Sequence, residues 1–181
     1  PERCYYCKRE LFARLKDIAQ RNGLEWVADG SNCDDLLDCR PGSRAAGEMG
    51  IVSPLRDAGL TKQEIRALAR HVGLPNWAKP AQACLASRFP YGRRITKGEL
   101  ETVARAEDAL RALGFSQVRV RLHGRTARIE VLPEELDKLL SRELRKTVVE
   151  KLKESGFLYV SIDLEGYRTG SMNEVLYHAV C

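Results

Sequence analysis

The sequence predicts a mixed α/β part followed by a small α+β domain. The first half rests on a helical segment, Cys4 to Asn22, followed by the short apolar run Trp26-Val27-Ala28, which meets the polar loop Asp29-Gly30-Ser31-Asn32. Strand-to-loop junctions of this kind are where open α/β sheets bind ligands. The second half rests on the order helix, strand, strand, helix, strand beginning near Arg93, which suits helices gathered against a small sheet. Residues 1–92 and 93–181 are therefore read as two domains.

Each element has a local reason. In the first segment Leu11, Leu15, Ile18 and Ala19 recur at helical spacing, and Gly23 supplies a left-handed cap. Asp34 to Arg44 is polar and contains Pro41-Gly42, so a loop is expected there. Thr61-x-x-Glu64 forms a capping box ahead of Ile65, Leu68, Ala69 and Val72, with Gly73 and Pro75 closing the helix. Periodicity vanishes from Trp77 to Arg94, which reads as a loop. A second capping box, Thr96-x-x-Glu99, opens a helix through Leu100, Val103, Leu110 and Leu113 to Gly114. The period then falls to two. Val118, Val120 and Leu122 alternate with Arg119, Arg121 and His123, and Ala127, Ile129 and Val131 alternate with Arg128 and Glu130 around Gly124. This predicts a hairpin with one buried face and one charged face. Pro133 starts a helical stretch that breaks near Ser141 and runs to Ser155, and Phe157 to Leu164 forms the last strand, with Ser161 and Asp163 on one face.

Composition narrows the function classes. The 181 residues are 44% hydrophobic, with 30 Lys and Arg against 25 Asp and Glu, a net charge of +5. That content buries a core and argues against disorder. No apolar run approaches the roughly 20 residues that cross a bilayer, so no membrane partner is expected. The positive balance admits anionic partners, but no aromatic-rich basic motif suggests stacking on RNA. A phosphorylated small molecule is the expected partner, and nucleic acid is not. The six cysteines, Cys4, Cys7, Cys33, Cys39, Cys84 and Cys181, are read as thiols of a reducing cytoplasm rather than a disulfide framework.

Three groups of residues invite chemistry. Cys4-Tyr5-Tyr6-Cys7 lies at a helix start, where a metal or cluster, a redox pair and ordinary thiols are all open. Cys84, in an aperiodic loop beside Ser87 and Arg88, is a nucleophile, a ligand or a buried small hydrophobe. Arg119, Arg121 and Arg128 share a strand face, as either a solvated charged surface or a phosphate or carboxylate site. Gly166-Tyr-Arg-Thr-Gly170 adds Arg168. His71, His123 and His178 show no metal-binding spacing, although His123 ends the charged strand.

Several motifs taken together resemble one family. They are Arg3-Cys-Tyr-Tyr-Cys-Lys-Arg9, Asp29-Gly-Ser-Asn-Cys-Asp-Asp35, Arg40-Pro-Gly42, Ser53-Pro-Leu55, Lys62-x-Glu64-Ile65-Arg66, Lys79-Pro80 through Ala83-Cys-Leu-Ala-Ser-Arg88, Pro90-Tyr-Gly92, and Gly166-Tyr-Arg-Thr-Gly170 with Met172-Asn173. In this order they resemble the LarE family of ATP-dependent sulfur transferases, which act on pyridinium-3,5-biscarboxylic acid mononucleotide during nickel-pincer nucleotide cofactor synthesis. The resemblance implies that residues 1–92 are part of an adenine-nucleotide alpha-hydrolase-like (PP-loop ATP pyrophosphatase) domain. It also implies ATP, Mg2+ and, in the three-cysteine branch, a [4Fe–4S] cluster on Cys4, Cys7 and Cys84, with Cys84 a ligand first and a sulfur donor second. Ser87, Arg88, Arg119, Arg121 and Arg168 are expected on the substrate phosphate, and Glu107 and Glu130 near a divalent metal or the substrate. Asp29, Gly30, Ser31, Asn32 and Asp35 are expected to border the ATP site. A homo-oligomer is expected.

The family's Ser-Gly-Gly-x-Asp-Ser loop does not occur in these 181 residues, and the chain opens at Pro1 rather than Met. The chain therefore reads as an N-terminally truncated form, inactive alone. Two alternatives are a tRNA-thiolating ATP pyrophosphatase and a non-catalytic, zinc-stabilised binding module.

Overall fold

A computed structural model describes residues 2–37, 41–79, 82–168, 170, 171 and 174. Cys39, Arg40, Pro80, Ala81, Thr169, Met172, Asn173, His178 and Cys181, named in the motifs and inventories above, lie outside the described residues. The chain divides into two compact units, Pro1–Lys79 and Pro80–Cys181. Residues 82–92 thus fold with the second unit rather than the first. The reason is packing: Phe89 is buried in the second core, Leu85 packs against it, and Arg88 is ion-paired to Glu107 inside it.

The first unit is helical. Helix α1 (Arg3–Arg21) runs to Asn22, with Gly23 at φ +65° beyond it. A short 3-10 helix, Cys33–Leu37, precedes α2 (Pro41–Glu48), α3 (Pro54–Asp57) and α4 (Lys62–His71). The loop expected through Arg44 is instead helical from Pro41. Proline suits the first helical turn, where its missing N–H has no intrahelical partner to lose. Gly42 lets α2 approach α1 closely, because a Cβ there would lie 3.0 Å from Lys8 Cγ. Phe12, Ala46 and Ile51 form the small core. The strand expected at Trp26-Val27-Ala28 is reduced to one parallel bridge, Ala28 to Val52. Two backbone bonds close it, Asp29 N to Val52 O and Val52 N to Val27 O. Without a further neighbour such a pair does not extend. Helix α4 opens with both limbs of its capping box formed, yet none of its residues is buried.

The second unit carries the sheet. Helix α5 (Lys97–Ala112) also opens on a complete capping box. Strands β1 (Val118–His123) and β2 (Thr126–Val131) pair antiparallel, Val120 opposite Ile129 and Arg121 opposite Arg128. The chain then crosses over through α6 (Leu136–Leu140) and α7 (Arg142–Glu154), with the break at Ser141, so β3 (Tyr159–Ile162) joins β2 in parallel. β3 is shorter than the expected 157–164 because its pairing covers only Thr126 to Ile129 of β2. Val103, Ala106 and Leu110 of α5 and Val148 and Leu152 of α7 share one core with Val118, Val120, Ile129 and Val131. No described helix is long and apolar enough to cross a membrane.

The hairpin departs from expectation in one further respect. Much of its charged face is covered: Arg119, Arg121 and Glu130 are 4%, 8% and 0% exposed, while Arg128 is partly exposed and His123 exposed. A period of two specifies which residues share a face but not what covers that face.

Candidate functional site: an arginine-lined anion cleft

Buried charges need partners, and the second unit supplies them from separate elements. Glu107, on α5, is fully buried. Its Oε1 accepts hydrogen bonds from Arg88 Nε (2.6 Å) and Val120 N (3.1 Å), and its Oε2 from Arg88 Nη2 (3.0 Å) and Arg111 Nη2 (2.7 Å). Glu130, on β2, receives Arg121 Nε and Nη2, each at 2.8 Å, and Arg128 Nη2 at 3.1 Å. Two buried carboxylates thus serve four guanidinium groups, leaving an excess of positive charge. Arg119 feels it. Burial, and then Arg88 nearby, hold its pKa below the ordinary arginine value.

The cysteine segment is tied to this network. Cys84 precedes the short 3-10 helix Leu85–Arg88. Its carbonyl accepts from Ser87 Oγ (2.8 Å) and Arg88 Nη1 (3.2 Å). Arg121 Nη1 donates to Ser87 O at 2.7 Å. Two arginines therefore fix the backbone from Cys84 to Arg88 onto the sheet, while the Cys84 thiol stays exposed. A buried hydrophobe is not its role.

Beside this segment opens a cleft of about 570 Å3, within the range of small-molecule sites. Ser87, Arg88, Arg121, Arg128, Arg168 and His123 supply its basic and polar lining. Arg121 also donates to Ser171 Oγ at 2.9 Å. Burial, then Arg128 and Arg121, push the His123 pKa down. Two lining arginines have buried N–H groups without a hydrogen-bond partner among the described residues, Arg128 Nε and Arg168 Nη1. Asp163 lies 3.7 Å from the first and 3.9 Å from the second, too far for a hydrogen bond. Glu165 Oε2 lies 2.7 Å from Arg168 Nη1, but not in hydrogen-bonding alignment. The guanidinium fork matches phosphate and carboxylate, so an oxyanion is the ligand that such a lining suits.

Of the five residues expected on a phosphate, Ser87, Arg88, Arg121 and Arg168 line this cleft and Arg119 does not. Arg119 instead donates to Val118 O at 2.9 Å and sits 5.1 Å from the Tyr167 ring. Glu107 and Glu130, expected near a divalent metal or the substrate, serve guanidinium groups, and a cation there would have to displace an arginine. Arg128, His123, Tyr91 and Asp163 also line the cleft. Arg128 and His123 were legible from the strand period, and Asp163 from the face it shares with Ser161.

In the first unit, Asp29 collects Ser31 N (3.1 Å), Ser31 Oγ (2.8 Å) and Ser53 Oγ (2.8 Å). Burial raises its pKa, but these hydrogen bonds outweigh burial and leave it below the ordinary carboxylate value. Asn32 is buried, its Oδ1 accepting from Asp34 N, while Asp35 Oδ2 accepts from Asn32 N. Gly30 has open space around its Cα. The loop from Asp29 to Asp35 is thus held in shape by its own polar groups. Cys4 and Cys7 are exposed cysteines one helical turn apart in the first turns of α1, a spacing that places them on the same face. Cys84 belongs to the other unit. Within neither unit do three His, Cys, Asp or Glu side chains gather at metal-binding distance among the described residues.

No protein-family model matches the chain. It is 48% identical over 174 residues to an uncharacterized protein of Synechocystis sp., covering 96% of this chain and 65% of that protein. It is 43% identical over 176 residues to the pyridinium-3,5-bisthiocarboxylic acid mononucleotide synthase of Lactiplantibacillus plantarum, covering 97% of this chain and 63% of the synthase. An uncharacterized protein of Methanocaldococcus jannaschii is 34% identical over 169 residues, with 65% of its length covered. The chain spans just under two thirds of each of these relatives. Over nearly all of its own length, then, it is a relative of the pyridinium-3,5-bisthiocarboxylic acid mononucleotide synthase, and this similarity supports the sulfur-transferase family that its motifs resemble.

Proposed function

We propose that the chain carries the substrate-binding and sulfur-transfer part of an ATP-dependent sulfur transferase. Its substrate is pyridinium-3,5-biscarboxylic acid mononucleotide, on the route to a nickel-pincer nucleotide. The observation that supports this most directly is the arginine-lined cleft, two of whose arginines have a buried N–H without a hydrogen-bond partner among the described residues, in a chain 43% identical to the synthase named above. Arg121, Arg128 and Arg168, with Ser87, hold the substrate phosphate, while Arg88 acts through Glu107 to fix the backbone beside Cys84. ATP with its Mg2+ supplies the AMP leaving group that makes a carboxylate carbon electrophilic. The loop from Asp29 to Asp35 borders that nucleotide, and Mg2+ travels with ATP rather than on Glu107 or Glu130. A sulfur nucleophile then forms the C–S bond as the C–O bond to AMP breaks.

Cys4, Cys7 and Cys84 are the ligands proposed for a [4Fe–4S] cluster, which supplies a transferable sulfide when loaded. Cysteines at the surface suit that role, because Cys side chains are the cluster's usual ligands. The whole enzyme is proposed to act as a cytoplasmic homo-oligomer.

Calorimetric titration with nicotinic acid mononucleotide tests the cleft. Binding that Arg121→Ala abolishes supports it, and absence of binding to the wild-type chain overturns it. Anaerobic reconstitution tests the cluster. Cys7→Ala should lose iron and acid-labile sulfide, and unchanged iron would remove the ligand assignment. One equivalent of zinc without iron would favour a zinc-stabilised module instead.

A further inference from the structure

We propose that Glu174 is an internal competitor in the cleft of the second unit: its carboxylate holds the guanidinium fork of Arg168 until a phosphate displaces it. This rests on the arginine lining being a phosphate seat, as proposed above, and adds the residue that sets how tightly the seat holds its ligand.

Two arginines of the lining are gripped by carboxylates, and the two grips differ. Arg121 gives Nε and Nη2 to Glu130, each at 2.8 Å, with the side chains 9% and 0% exposed. Arg168 gives the same two nitrogens to Glu174, with Nε at 3.3 Å and Nη2 at 3.2 Å from both oxygens, and these side chains are 32% and 49% exposed. Charge-assisted bonds between such groups run to roughly 2.7–2.9 Å, so the first fork is closed and the second is slack. Glu130 cannot leave Arg121 without stranding a buried charge. Glu174 can turn into water at little cost, because a solvent-exposed ion pair is worth little.

Glu174 and Arg168 both line the cleft, which places the carboxylate against the fork that a ligand's oxygens would use. Phosphate and carboxylate fit that fork in the same way, so the two exclude each other there. Glu165 is a different case. It also lines the cleft, but its Oε2 lies out of hydrogen-bonding alignment with Arg168 Nη1 and its side chain is 73% exposed. It adds negative charge without taking the fork. An internal competitor weakens every ligand that needs Arg168 by the same factor. Substrate and product of the proposed reaction share one phosphate, so both are held less tightly and the chemical step is untouched.

The test titrates the whole 181-residue chain with ribose 5-phosphate by calorimetry, in salt of about 0.15 M, which screens exposed charges beyond about 8 Å. Glu174→Gln keeps the side-chain shape and removes the charge. It should tighten binding about 2- to 5-fold, the scale of one exposed ion pair broken. Glu165→Gln removes an equal charge from the same lining and should change the affinity by less than about 1.5-fold. Equal gains in both variants would show a general field rather than competition and overturn the inference. Unchanged or weaker binding in Glu174→Gln, with the wild-type chain still binding, would overturn it too, because Glu174 would then hold Arg168 in place for the ligand. Absence of binding to the wild-type chain and to both variants would remove the phosphate seat and this inference with it.

Discussion

Replacing Glu107 with Ala removes the carboxylate that holds Arg88, Arg111 and the Val120 N–H together. Arg88 is 2% exposed and Glu107 0%, so the guanidinium left behind keeps its charge without solvent. Breaking a buried pair from one side costs about 3–5 kcal/mol. That is a large share of the roughly 5–15 kcal/mol that holds a domain folded. For a domain of about 100 residues each kcal/mol moves Tm by about 4–8 °C, so the second unit should melt at least ~12 °C lower. The molecule provides its own control, because Trp26 and Trp77, its two tryptophans, both lie in the first unit. Tryptophan fluorescence should report an unshifted transition while far-UV circular dichroism loses the signal of α5 and α7 early. Asp108→Ala removes a carboxylate that is 74% exposed and also paired to Arg111, and should cost under ~0.5 kcal/mol. The double change Arg88→Met, Glu107→Leu should recover most of the loss. A Glu107→Ala protein that melts like Asp108→Ala would refute the buried network as what anchors the Cys84 segment.

Three further outcomes follow from particular geometries. Arg128→Ala removes a half-exposed guanidinium from the cleft and should weaken ribose 5-phosphate binding by about 1.5–3 kcal/mol, read by calorimetry, while Arg105→Ala, outside the cleft, leaves it unchanged. Gly166 sits at φ +70°, and a Cβ there would lie 2.8 Å from Val131 O. Gly166→Ala should therefore destabilise the turn that carries Asp163 and Arg168 by about 1–3 kcal/mol and weaken phosphate binding with it. Asp29 has a pKa below its ordinary value in the folded state, so its contribution to stability is complete above about pH 4 and is lost as pH falls through the lowered value. Acid titration of first-unit fluorescence should show this loss, and Ser53→Ala, which removes one donor to Asp29, should move the midpoint upward.

The sequence by itself determined whatever a few neighbouring residues decide. Both capping boxes form as read, because Thr61 with Glu64 and Thr96 with Glu99 satisfy the first turn from within it. The hairpin phase follows from a side-chain period of two, and the helix break at Ser141 from the interrupted apolar pattern. The family likeness, too, was legible from the order of short motifs. Only the tertiary structure decided that Arg88 and Arg121 meet Glu107 and Glu130, that β3 joins β2 in parallel, and that residues 82–92 fold with the second unit. Those partners lie from 9 to 34 residues apart in the chain. Electrostatic complementarity at such separations carries no local periodicity. It exists only once α5, the Cys84 segment and the sheet have come together to exclude water, and that exclusion turns a charged strand face into a buried network of arginines and carboxylates.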